Sequence, residues 1–194
     1  MYKIVTPDCN KSGVFSYNLL NQYTDTMKIE LKKISFNERM SEETNCFTAD
    51  LYINGKKVGY CKNEGHGGCT DYRGDTKEDN VLIAEAEAYY KSLPKVKDEK
   101  YNFEYQPTLE SAIDEQLEEY LKAKERKKME KYMVDAILFG VPNGYSYTRI
   151  KFKVPLSKIN PLALQQKVNE IKKKECTNGV VILNTNLEAL GIKI

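Results

Sequence analysis

The sequence contains no tryptophan and only one histidine, His66. A single imidazole leaves few ways to assemble general acid–base catalysis. No run approaches the roughly 20 apolar residues that cross a bilayer. The opening residues, MYKIVTPDCNKSG, lack the basic flank and apolar core of a secretory signal. Five cysteines, an odd number scattered over 194 residues, do not make a disulfide framework. The expected setting is therefore a reducing cytoplasm, off the membrane. An excess of one charge is also missing. With 30 basic and 28 acidic residues the net charge is +2, so affinity for nucleic acid has to come from local patterning. No Cys-x2-Cys pair and no G-x-x-x-x-G-K-[ST] phosphate loop occurs.

What is present points to an α+β protein. The expected plan is a mainly antiparallel sheet built from two β-hairpins and packed by three to four helices, one of them long and charged. Residues 1–26 read as an N-terminal extension, with a short strand at Met1–Val5 and a helical turn at Phe15–Tyr23. Residues 27–194 read as one domain, whose halves 27–94 and 133–194 each give a hairpin to one sheet. In MKIELKKISF, Ile29 and Leu31 share one strand phase while Ile34 and Phe36 share the other. A β-bulge near Lys32-Lys33 would restore a single buried face.

Asn54-Gly55 is the strongest hairpin signal, because a type I′ turn needs positive φ twice. The register it sets pairs Ile53 with Lys56, Leu51 with Val58 and Ala49 with Tyr60. Phe47, Ala49, Leu51, Ile53, Val58 and Tyr60 then face the core. Cys46 and Cys61 join the opposite, polar face. A helix is expected over Asp79–Leu93, and a long one over 107–132, acidic in its first half and basic in its second, as the macrodipole favours. A second hairpin turns at Asn143-Gly144. Asn160-Pro161 starts another helix, Val180–Leu183 is a short strand, and Thr185-x-x-Glu188 opens a final short helix.

Four arrangements could carry function. Cys46, Cys61, His66 and Cys69 offer three thiolates and an imidazole, the donor set of a tetrahedral zinc site, against the plainer reading of packed cysteines and a loop histidine. Gly65, Gly67 and Gly68 permit left-handed backbone whose amides could nest a phosphate, or simply let a connector turn. Cys69 with His66, and Asp71 or Asp75 behind it, is the one nucleophile–base arrangement in sight. Along the second hairpin, Tyr145, Tyr147, Arg149, Lys151 and Lys153 alternate onto one strand side. Rings that stack on bases and cations that meet phosphates are what single-strand binders use; the plainer reading is a solvated strand face.

The segments MKIELKKISFNERMSEETNCFTADLYINGKKVGYCKNEGHGGCTDY and GVVILNTNLEALGIKI resemble a family of small uncharacterised proteins of phages and mobile elements in Bacteroidales-type bacteria. The resemblance implies an accessory protein working by binding in the bacterial cytoplasm. Nucleic acid, a nucleotide or a host defence component are the partners it suggests. The expectation is thus a non-enzymatic binding protein, with a small zinc protein or Cys/His enzyme as the alternative, and an oligomer formed through the long helix as a third role.

Overall fold

A computed structural model describes residues 27–98, 102–142 and 146–194. The extension 1–26, the Asn143-Gly144 turn and Tyr145 lie outside the described residues. The chain mixes α-helices with antiparallel sheets. It divides into two compact units, one ending at Leu117 and the other running from Glu118 to Ile194. The two hairpins do not share a sheet, as the sequence had suggested, but build one sheet in each unit.

In the first unit, β1 (Ile29–Phe36), β2 (Phe47–Ile53), β3 (Lys56–Asn63) and β4 (Asp71–Gly74) pair in that order, each antiparallel to the next. Asn54 and Gly55 take φ of 50° and 79°, the two left-handed steps the β2–β3 turn requires. Asn54 also grips the approach to β1. Its amide donates to the Lys28 carbonyl and its Oδ1 accepts from the Lys28 amide, both at 2.8 Å. The expected bulge in β1 is there. Register shifts between Lys32 and Ser35, and Lys33 takes φ of 51°. Lys33 and Lys57 then both reach Asp50 at 3.1 Å and hold its carboxyl below the usual range, chiefly through those hydrogen bonds.

A second bulge overturns the predicted β2–β3 register. Tyr52 pairs with Lys57, but Leu51 pairs with Gly59, so Val58 is an extra residue. Ala49 consequently faces Cys61, not Tyr60. Beyond the bulge every β3 side chain changes face. Cys61 and Asn63 turn inward at 0% and 8% exposure, and Tyr60 turns outward at 42%. The cause is β4. Gly59 pairs with Gly74, and a Cβ on Gly59 would collide with the Arg73 carbonyl oxygen.

Helix α1 (Lys77–Ser92) packs against β2, β3 and β4. Thr76 caps it, accepting from the Asp79 amide at 3.1 Å and donating to Asp79 Oδ2 at 2.7 Å. A two-stranded ribbon, β5 (Val96–Asp98) with β6 (Phe103–Tyr105), leads to helix α2 (Leu109–Met133), which continues into the second unit.

In the second unit β7 (Ala136–Gly140) lies between β8 (Tyr147–Lys151) and β9 (Val181–Ile182). Every residue of β7 is buried, because both its faces are covered. Ile137 and Phe139 pack with Leu164, Val168 and Ile171 of helix α3 (Pro161–Lys174). Ala136 and Leu138 pack with Met133, Met129 and Tyr132 from the end of α2. Asn160 caps α3 through bonds to the Leu162 and Ala163 amides, with Pro161 in the first turn. Asn184 lengthens the short β9 with its side chain, accepting from the Leu138 amide at 2.6 Å and donating to the Ala136 carbonyl at 2.9 Å. The expected last helix is only a 3-10 turn, Glu188–Leu190. Thr185 does not cap it and bonds instead to Met133 Sδ at 3.7 Å.

Gly59→Ala should lower stability by about 2 kcal/mol or more, because strand backbones must part to admit one methyl. Gly68→Ala, with open space at its Cβ, should stay within roughly 0.5 kcal/mol of the parent. Denaturant melts of the two variants check the pair.

Candidate functional site

The end of β3 and the glycine loop beyond it are organised by one inward carboxamide. Asn63 Oδ1 accepts from the Thr44 hydroxyl at 2.8 Å and from the Gly65 amide at 2.9 Å. Its Nδ2 donates to the Gly68 carbonyl at 2.9 Å and to the Thr70 hydroxyl at 3.4 Å. Thr70 passes the network on, donating from its hydroxyl to Asp114 at 2.7 Å and from its amide to Glu110 at 2.8 Å. A buried amide that meets four partners is well satisfied, and such a network defines one loop conformation.

Gly65 and Gly67 do adopt left-handed backbone, with φ of 90° and 85°. Their amides are already engaged. Gly65 donates to Asn63, and Gly67 donates to Thr44 Oγ1 at 3.2 Å. The real nest runs the other way. The consecutive amides of Glu42, Glu43 and Thr44 converge on the Gly65 carbonyl at 3.0, 3.0 and 3.3 Å. A Cβ on Gly67 would strike the Glu43 carboxylate, which puts a negative charge beside the loop. The loop is therefore built as an internal clasp, and Gly68 is the glycine with open space beside it.

Beside the clasp lies an open groove of about 400 Å³, lined by Cys46, Phe47, Thr48, Lys62, Glu64 and His66 among others. His66 Nδ1 stands 3.3 Å from Glu42 Oε2, and Lys62 pairs with Glu64 at 2.9 Å. The bulge separates the four expected metal ligands. Cys46 and His66 share the groove, Cys61 is sealed in the core with its thiol 3.8 Å from the Ala49 carbonyl, and Cys69 lies exposed. Among the described residues no three His, Cys, Asp or Glu side chains are grouped to hold a metal. Burial, with the Asp114 and Asp50 carboxylates behind it, pushes the Cys61 thiol up to about 12. That removes it from nucleophilic chemistry.

In and just after β8, Ile150 and Phe152 are partly buried against the core of the second unit, while Thr148 and Val154 of the same phase are exposed. The opposite side is engaged within the unit. The Tyr147 hydroxyl donates to Glu125 at 2.8 Å, and burial with that bond pushes it up to about 12. The Arg149 guanidinium lies 4.2 Å over the Tyr132 ring, and Lys151 stands 3.5 Å from Asp135. Lys153 remains exposed.

The feature missed by the sequence reading is electrostatic. Through Leu117 the chain carries 15 basic and 20 acidic side chains; from Glu118 onward it carries 15 basic and 8 acidic. A nearly neutral chain thus joins an acidic unit to a strongly basic one. The signal was in the sequence, but it emerges only when charge is summed by unit.

Thiol labelling checks the placement of the cysteines. Cys69 should react with an aromatic disulfide reagent at pH 8 in the native protein, while Cys61 should stay silent until denaturant is added. Native labelling of Cys61 would contradict the inward register of β3.

Compared with protein-family models, curated proteins and solved structures, the chain matches none.

Proposed function

We propose that this is a non-enzymatic binding protein whose partner is nucleic acid, engaged through phosphates by the basic second unit. The observation that carries the reading is the segregation of charge, 15 basic against 8 acidic side chains from Glu118 onward. Cations concentrated on one unit raise the local potential and release counterions when they neutralise phosphates. Several acidic groups there are already committed: Glu118 to Lys122, Glu125 to Lys128, and Glu170 to Lys167 and Lys174. The surplus lies with residues such as Arg126, Lys127, Lys131 and Lys153. In the same reading the protein is an accessory of a phage or mobile element, acting in the bacterial cytoplasm.

A second reading belongs to the groove. Cys46 and His66 both line it, with Glu42 beside the imidazole. A small ligand or a zinc ion held there would make this a metal protein or Cys/His enzyme. Metal analysis of the purified chain separates the readings, since about one equivalent of zinc lost on Cys46→Ser would favour the second.

The first reading predicts that fluorescence anisotropy with a mixed-sequence oligonucleotide will detect binding at 50 mM salt. Log affinity should fall linearly with log salt, with a slope of roughly −3 or steeper. Binding that is absent at low salt, or indifferent to salt, would overturn it.

A further inference from the structure

The cations of the second unit are not spread evenly. Side chains on an α-helix advance by about 100° per residue, so Tyr120, Lys124, Lys127 and Lys131 of α2 fall within an arc of about 60° along about 16 Å of helix. All four are exposed, Tyr120 at 37%. No acidic residue of that half-helix shares the arc, because Glu118, Glu119, Glu125 and Glu130 project from other sides. On its opposite flank the end of the helix is anchored, where Met129, Tyr132 and Met133 pack against Ala136 and Leu138 of β7.

We propose that this stripe is a docking surface for double-stranded nucleic acid, read through one phosphate backbone without regard to sequence. The inference rests on the nucleic-acid reading above and names its class. Two observations select a duplex. A row of cations along one helix face suits a regular line of phosphates. Single-strand binders also need a platform of rings on which successive bases stack. In the second unit those rings are engaged elsewhere: Phe139 is buried, Phe152 packs on the core, Tyr132 lies under Arg149, and the Tyr147 hydroxyl is bonded to Glu125. Tyr120 alone among the described rings borders the stripe, and one ring is not a platform.

The test uses the full chain in anisotropy titrations with a 20-base-pair duplex, the single strand of the same length, and vesicles rich in anionic lipid. Two variants accompany it, Lys127→Glu/Lys131→Glu on the stripe and Lys172→Glu/Lys173→Glu on α3. Both pairs are exposed, and matched thermal melts confirm that the folds are intact. Duplex should bind at least tenfold tighter than single strand. The stripe variant should lose at least tenfold in duplex affinity and flatten the salt slope by about two, while the α3 variant loses less than about threefold. Single strand or vesicles binding as tightly as duplex would overturn the choice of duplex while leaving polyanion binding intact. Equal losses in the two variants would overturn the stripe. No binding to any of the three would remove the underlying reading as well.

Discussion

There is no room for a side chain between Gly59 and the Arg73 carbonyl, and the first unit is arranged around that fact. At this close approach of β3 to β4, Val58 stands as an extra residue opposite β2. A one-residue offset in a strand moves every later side chain to the other face. Cys61 and Asn63 therefore point into the protein and Tyr60 points out of it. The chemistry of the loop follows from this geometry. Asn63 becomes its buried organiser, and Cys61 becomes a thiol that burial keeps protonated.

The glycines acquire a different meaning in consequence. Left-handed steps at Gly65 and Gly67 can present amides to a phosphate. Here Asn63 and Thr44 have taken those amides, and three amides from the 42–44 segment clasp the Gly65 carbonyl. Glu43 against Gly67 adds negative charge beside those amides. Loop glycines thus serve closure, whereas the chain's positive potential belongs to the other unit.

Local signals with a stereochemical cause were legible in the sequence. Asn54-Gly55 demanded a two-residue turn, the phase slip between Leu31 and Ile34 demanded a bulge, and Asn160-Pro161 marked a helix start. What escaped depends on partners distant in the chain. Gly59 inside a strand was a hint of a bulge, but only β4 explains why the glycine is needed. The Tyr147–Arg149–Lys151 side read as a free stacking face because nothing local reveals that Glu125, Tyr132 and Asp135 meet it. The opposed charges of the two units cancel in a whole-chain sum, and the border between them lies inside one continuous helix.

Two buried asparagines hold the two units in comparable ways. Asn63 closes a loop, and Asn184 extends a two-residue strand by bonding to Ala136 and Leu138 on one edge of β7. Each is a buried polar group whose hydrogen-bond partners are met, so each favours one arrangement over its alternatives. That leaves the exposed cations of the second unit as the adaptable, charge-bearing surface. Amide chemical-shift mapping during titration of the full chain with a short nucleic-acid duplex tests this division most directly. The account predicts shifts concentrated on the exposed side of residues 120–131, with the Gly65 and Gly67 amides unmoved; shifts centred on Gly65 and Gly67 would contradict it.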